Sequence, residues 1–317
     1  MRQFSPEYLE HTREGMWDDG REALADLALA SRQRVLDVGC GTGEFTAVLR
    51  EESQPDADVI GVDADTDLLR FARGCESDPG SGLPKRPDTD RTQDRNVHDD
   101  RAGDGAGPRA FAGALQCLAG DATRLPIADD AVDLAACQAL LINLPDPAVG
   151  VRELVRVSTD LVAAVEPNNA EVAVSSTVDR EADLEREARN AYLDGVDTNV
   201  ALGDRVPSLF TDAGLVDVRT RRYLHEKRTA PPYDEAALQA AARKASGAGL
   251  ADHRAELRAA LSTAAYDDLR RRWRALGRDV IDAMRDGTYE RVELVPFEVT
   301  VGRVSDGSMS DEPLLGD

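Results

Sequence analysis

Lysine is nearly missing from this 317-residue sequence: only Lys85, Lys227 and Lys244 are present, and arginine supplies the rest of the positive charge. Aromatic residues are scarce at 4%, and there are four cysteines and four histidines. Cys40, Cys75, Cys117 and Cys137 show no paired metal-ligand spacing and are too few for a disulfide framework, so a reducing interior is expected. His11, His98, His225 and His253 are scattered and form no HxxxH pattern, and no metal site is expected. No apolar run approaches the roughly 20 residues that span a bilayer. The opening Met1-Arg2-Gln3-Phe4-Ser5-Pro6 is polar and unlike a signal peptide. A soluble, cytoplasmic chain with no membrane partner is the expectation. The net charge of −22 would ordinarily repel nucleic acid. A hydrophobic fraction of 42% still suffices for a core, in one large or two small domains.

What the sequence does contain is organised around Arg34–Phe45. Val35 to Val38 reads as a buried parallel strand that stops at Gly39, Gly41 and Gly43. Phe45, Val48 and Leu49 then recur at helical spacing. Strand, tight glycine turn and helix make a ligand site, because glycine lets the backbone approach a bound group and the helix start offers free N–H donors. By itself the motif also fits an ordinary strand-to-helix connection. Asp58–Asp63 reads as a second buried strand. Asp63, about 20 residues beyond the turn and at a strand tip, is placed to accept hydrogen bonds from both hydroxyls of a ribose.

Along the rest of the chain, residues 5–30 read as one or two helices, Ser5-Pro6-Glu7 giving a start signal. Tyr8, His11, Met16 and Trp17 either pack on the sheet or form a lid. Residues 64–72 read as a short helix. Residues 74–112, rich in Gly, Asp, Pro, Ser and Arg, read as a mobile insertion. Strands follow over 114–119, 132–137 and 161–165, with a helix capped by Asp146-Pro147 between the last two. Repeated βα units predict a parallel sheet covered on both faces. Beyond come a charged helix at 179–194, a helix at 206–213 and a strand at 215–225. Residues 233–286 are helical, with an apolar stripe of Trp273, Leu276, Val280, Ile281 and Met284. The cluster of Arg270, Arg271, Arg272 and Arg274 fits either a solvated helix face or a grip on an anion. Residues 292–304 form a final strand, and 306–317 form an acidic tail.

Asp37-Val38-Gly39-Cys40-Gly41-Thr42-Gly43, Asp63, Gly120-Asp121-Ala122 and the stretch from Leu125-Pro126 to Asp133 fall in order at strand ends. Together they resemble the class I S-adenosylmethionine-dependent methyltransferases, in the group whose first motif reads LDVGCGTG. The resemblance is good over residues 30–170 and holds beyond that in outline. It implies a Rossmann-like, doubly wound seven-stranded α/β sheet, mostly parallel, whose last strand is antiparallel and lies between strands five and six. It implies a domain of residues 31–230 and 288–305, an N-terminal helical lid over 1–30 and a helical cap insertion over 231–287. S-adenosyl-L-methionine is the implied cofactor. Gly39, Gly41 and Gly43 would hold its methionine part, with Asp37 supporting them. Asp63 would bind the ribose hydroxyls, with Ala64 also in the cofactor site; Asp121 and Ala122 would meet the adenine, and Asn143 and Leu144 would line the methyl-transfer site. Asn143, Glu166 and Tyr8 are the catalytic candidates, with His225 a further possible base. Acid richness with scarce lysine resembles the proteins of salt-loving archaea, and salt adaptation would weaken the charge argument about partners.

The acceptor implied is a small molecule or an RNA, and no DNA partner is expected. Ile142-Asn143-Leu144-Pro145-Asp146 departs from the Asn/Asp-Pro-Pro-aromatic box of amino-group methylating relatives; Pro231-Pro232-Tyr233 lies too far downstream to supply it, though it could edge the pocket. Two other classes stay open: a non-catalytic cofactor-binding protein, and a nicotinamide-dependent dehydrogenase. The latter is disfavoured because its glycine pattern is G-x-G-x-x-G, whereas here it is G-x-G-x-G.

Overall fold

The computed structural model describes Leu9, Arg13, residues 15–73 and residues 116–305. Tyr8, His11, the insertion expected over 74–112 and the acidic tail lie outside the described residues. The chain first forms two 3-10 turns, Arg21–Leu27 and Leu29–Ser31. The α-helix expected up to residue 30 is therefore not what forms there. Ala28 takes a left-handed conformation (φ 52°) and breaks the run, while Leu24, Leu27 and Leu29 still bury their side chains.

The βα units follow as read from the sequence: β1 (Arg34–Val38), α1 (Glu44–Glu52), β2 (Asp58–Asp63), α2 (Thr66–Ala72), β3 (Gln116–Ala119), β4 (Val132–Gln138), α3 (Pro147–Val157) and β5 (Ser158–Pro167). The Asp65 carboxylate caps α2 by accepting from the Asp67 and Leu68 amides, and Asp146 caps α3 through the Ala148 amide at 3.0 Å. Next come β6 (Ala173–Ser176), α4 (Glu181–Gly195), α5 (Val206–Asp212), β7 (Val216–Thr229), α6 (Glu235–Ser246), α7 (Ala248–Asp252), α8 (Arg254–Ala260), α9 (Thr263–Arg285) and β8 (Arg291–Arg303).

Strands β1 to β5 are parallel in the order β3-β2-β1-β4-β5. Strand β8 runs antiparallel along β5 from Leu161↔Arg303 to Pro167↔Phe297, and β7 lies along its other side. This is the expected insertion of the last strand. Among the described residues the sheet has eight strands instead of seven, because the short β6 continues the β5 edge and pairs with β8 at Ala173↔Leu294. Strands β7 and β8 therefore overshoot the parallel sheet and form a platform beyond Pro167.

Alternation along the strands sends side chains to two cores. Leu36, Val38, Ala135 and Cys137 join α3 and α5 on one face. Val35, Leu134 and Ala136 join Met16, Trp17 and Phe45 on the other. A separate cluster packs α4 against α8 and α9 through Leu184, Ala188, Leu257 and Leu269. Glycine makes these crossings close. A Cβ on Gly195 would stand 1.9 Å from the Glu256 carbonyl oxygen, and one on Gly277 would stand 2.2 Å from the Ala245 nitrogen.

Candidate functional site

A cavity of about 840 Å³ opens at the C-terminal ends of β1, β2 and β4 and continues over the β7–β8 platform. Its inner end is built by the glycine turn. Gly39, Gly41 and Gly43 all take positive φ (76°, 56° and 91°), and Gly39 and Gly41 line the wall. A Cβ on Gly39 would meet Leu140 at 2.8 Å, so glycine is required there on two counts. The Gly39 and Cys40 amides donate to the Val62 carbonyl, tying the turn to β2.

Asp63, at the tip of β2, holds this end together. Its Oδ2 accepts from the Gly41 amide at 2.9 Å and its Oδ1 from the Asp65 amide at 2.8 Å. A carboxylate has about four acceptor positions, so each oxygen keeps one for a ligand hydroxyl. Ala64, Gly120, Ala122 and Asn143 also line the cavity. The Asn143 Nδ2 donates to the Ala139 carbonyl at 2.8 Å, which leaves its buried Oδ1 without a partner.

The other sequence-derived positions stand behind or beside the wall. Asp37 is fully buried beneath the turn, outside the cavity lining. One oxygen takes the Thr46 hydroxyl at 2.6 Å and the other is unpartnered; burial pushes its carboxyl up to about 7. Gly43 caps α1 from outside the lining. Asp121 is exposed, and its Oδ1 accepts from the Thr123 amide and hydroxyl, which holds its carboxyl below the usual range. Glu166, read as a possible general base, is fully buried under the turn at Leu141–Asn143. It accepts from the Leu140 amide at 2.9 Å, Leu141 at 2.8 Å and Ile142 at 3.3 Å, while burial lifts its carboxyl to about 7. The carboxylate thereby holds the backbone of the loop that carries Asn143.

Met16 and Trp17 pack in the core instead of forming a lid. Trp17 stacks on Phe45 (5.6 Å between centroids) and on Tyr223 (5.9 Å), and Tyr223 stacks in turn on His225 (6.4 Å). The Trp17 Nε1 donates to Gln138 Oε1 at 3.2 Å, and the Tyr223 hydroxyl donates to the Met16 carbonyl at 2.6 Å. His225, at the end of this column, lines the cavity; its buried Nε2 has no partner. Burial first, and then the Lys227 charge, bring its pKa down to about 4, so the ring is neutral near pH 7.

Two arginines of the α9 cluster serve the surface, whereas Arg270 is partly buried and its buried Nε has no hydrogen-bond partner. Arg271 pairs with Asp268, and Arg272 with Asp268 and Glu187, outside the cavity lining. The Tyr233 hydroxyl pins Tyr289 through that residue's amide and carbonyl, each at 3.0 Å, and does not edge the cavity. Sequence reasoning missed Leu9, Arg13, Gln138, Arg189, Tyr192, Lys227 and Glu293 in the lining. Lys227 alone had a signal, its rarity.

Residues 36–160 match the family model described as a methyltransferase domain. Among curated proteins, a demethylmenaquinone methyltransferase of Lactiplantibacillus plantarum is 29% identical over 43% of this chain and 45% of its own length. A trans-aconitate 2-methyltransferase of Rhodopseudomonas palustris is 49% identical over 17% of this chain and 20% of its own. The chain thus spans less than half the length of these relatives. Among solved structures, the YcgJ protein of Bacillus subtilis aligns at 15% identity and TM-score 0.45, over 90% of this chain and 99% of that one. Among the described residues, no helix is long and apolar enough to cross a membrane.

Proposed function

We propose that the protein is an S-adenosylmethionine-dependent methyltransferase acting on an acceptor small enough to share the 840 Å³ cavity with the cofactor. The observation that carries this reading is Asp63: one carboxylate braces the glycine turn and keeps acceptor capacity for two ribose hydroxyls. The methyltransferase-domain match over 36–160 covers the same segment. The residues fit the cofactor on structural grounds as well. Gly39 and Gly41 leave backbone open to a close ligand, Ala64 and Ala122 offer small apolar contacts, and Asn143 Oδ1 is a buried acceptor without a donor.

When bound, S-adenosylmethionine supplies an electrophilic methyl group on a positively charged sulfur. The chain's own task is to align the acceptor and exclude water. Gly39, Gly41 and Gly43 with Asp37 beneath them would hold the methionine end, Asp63 and Ala64 the ribose, and Asp121 and Ala122 the adenine. Asn143 would face the transfer site. The helices over 231–287 would act as a cap on the acceptor, joined by α4, which packs with them. The matched relatives are named for demethylmenaquinone and trans-aconitate, which favours a small acceptor over an RNA. A cytoplasmic, salt-adapted enzyme fits the composition.

Calorimetric titration tests the cofactor: S-adenosylmethionine should bind and NADH should not. Incubation with radiolabelled cofactor and fractionated metabolites, RNA and protein then reads out catalysis. Binding of NADH alone, or binding of S-adenosylmethionine with no fraction ever labelled, would overturn the reading.

A further inference from the structure

Cys40, Cys117 and Cys137 are free thiols, and two of them meet. Cys40 sits between Gly39 and Gly41 in the glycine turn and is buried. Cys117 lies on β3, the outermost strand of the described parallel sheet, and is partly exposed. Strand β2 runs between them, and Gly61 on that strand brings them together. Gly61 is the register partner of Cys117, so a side chain on Gly61 would point to the same face of the sheet as the Cys117 thiol. Cys40 reaches into that vacancy from the turn: a Cβ on Gly61 would meet the Cys40 Sγ at 2.8 Å and the Cys40 Cβ at 3.0 Å. The two thiols therefore face each other over a glycine. Cys137 is buried on the opposite face, in the core with Leu36 and Val38.

The pair is unequal. The Cys40 thiol beside it holds the Cys117 thiol below its usual value, with the Arg73 charge adding to the pull, against burial and against Asp37 and Asp63. Cys117, and then burial, push the Cys40 thiol up. Arg73 is held in place by donating from Nη2 to the Cys117 carbonyl. The thiolate is the form an oxidant attacks, and Cys117 is both the readier thiolate and the more accessible sulfur.

We propose that Cys40 and Cys117 form a modification site: a peroxide joins them in a disulfide, and the link weakens cofactor binding at the glycine turn. The Cys117 thiolate attacks one oxygen of hydrogen peroxide. The O–O bond breaks, and its electron pair leaves with the other oxygen, which takes a proton to become water. Cys117 is then a sulfenic acid. The Cys40 sulfur attacks the Cys117 sulfur, the S–O bond breaks, and the hydroxyl leaves as water with the Cys40 proton. Two thiols are oxidised and one peroxide is reduced to two waters.

A bond requires the sulfurs to come closer than two thiols in contact, so Cys40 is drawn toward β3. The turn has little slack for this. The Gly39 and Cys40 amides are tied to the Val62 carbonyl, and the Gly41 amide to Asp63 at 2.9 Å. Moving Cys40 disturbs the backbone on both sides of it, including the Gly41–Asp63 bond. The effect on the cofactor rests on the methyltransferase reading; the disulfide itself does not.

The test treats the full reduced chain with stoichiometric hydrogen peroxide and then blocks the remaining thiols. Peptide mapping by mass spectrometry should find Cys40 joined to Cys117, and dithiothreitol should reverse the link. By calorimetry the oxidised chain should bind S-adenosylhomocysteine at least about tenfold more weakly, the size of losing one charge-assisted bond, and reduction should restore the affinity. Cys117 lies outside the cavity lining. Cys117→Ser and Cys117→Ala should therefore bind S-adenosylhomocysteine as the reduced chain does, and keep that affinity after peroxide. No link, a link from either cysteine to Cys75 or Cys137 instead, a link that leaves affinity unchanged, or a peroxide-induced loss that persists in the Cys117 variants each overturn the proposal. If the reduced chain binds no S-adenosylhomocysteine, the methyltransferase reading fails instead, and the peptide map still decides whether the two thiols form the site.

Discussion

The Asp63 carboxylate and the Gly41 amide are joined by a 2.9 Å hydrogen bond that ties the tip of β2 to the glycine turn after β1. The residue proposed to hold the ribose also holds the backbone proposed to hold the methionine end. Asp63→Ala removes both functions together. Each charge-assisted bond to a hydroxyl contributes about 1.5–3 kcal/mol, and about 1.4 kcal/mol is tenfold in affinity. S-adenosylhomocysteine should bind at least about tenfold more weakly to the variant by calorimetry, with little change in far-UV circular dichroism. Unchanged affinity would remove Asp63 from the site.

Two buried carboxyls set a pH dependence of stability. Burial raises Glu166 from 4.5 and Asp37 from 3.8 to about 7 each. A raised folded-state value means the native chain keeps a proton the unfolded chain releases. Stability is therefore greatest below the unfolded values and declines as pH rises toward about 7. Glu166→Gln keeps an oxygen for the Leu140 and Leu141 amides and cannot ionise. Urea unfolding between pH 4.5 and 7.5 should show a shallower decline in the variant. Carboxylates held low, such as Asp121 and Glu153, act in the opposite sense and at more acid pH.

Trp17 sits in the middle of a column of four rings, from Phe45 to His225. Trp17→Ala should cost about 3–5 kcal/mol, the usual range for deleting a large buried aromatic. Trp17→Phe should cost much less. Equilibrium urea unfolding checks both, and equal losses in the two variants would show that stacking area is not what Trp17 contributes.

The helical layer should respond separately. Gly277→Ala places a Cβ 2.2 Å from the Ala245 nitrogen, against backbone that cannot swing aside. Helices α6 and α9 must part, lowering stability, while S-adenosylhomocysteine affinity stays close to that of the unaltered chain. A large loss of that affinity would show that the helical layer and the glycine turn do not behave as separate units.

The half of the site legible in the sequence is the half made by local chain. Gly39, Gly41 and Asp63 reveal themselves because turn chemistry and strand-end position are properties of short segments. The antiparallel place of β8 between β5 and β7 followed from family resemblance. The short β6 did not, since four residues exposed on alternate positions carry little pattern; their pairing with Leu294 is created by chain more than a hundred residues away. Arg189 was hidden for the same reason. On α4 it is one charge among many, and only the packing of that helix over the platform turns it inward. The facing of Glu166 is not legible in the sequence, because a strand-end carboxylate looks alike whether it faces a cavity or, as here, the amides behind it.

Strand β8 joins β5 through partners such as Leu161↔Arg303, and its platform pair with β7, Lys227↔Glu293, closes only across the helices over 231–287. Contacts of that separation form late, because long loops must close before they are rewarded. The platform under Arg189, Lys227 and Glu293 cannot exist until this strand is seated. The Gly41–Asp63 bond of the inner turn joins residues only 22 positions apart. During folding the chain should thus form the turn at Gly41 and Asp63 well before the β7–β8 platform.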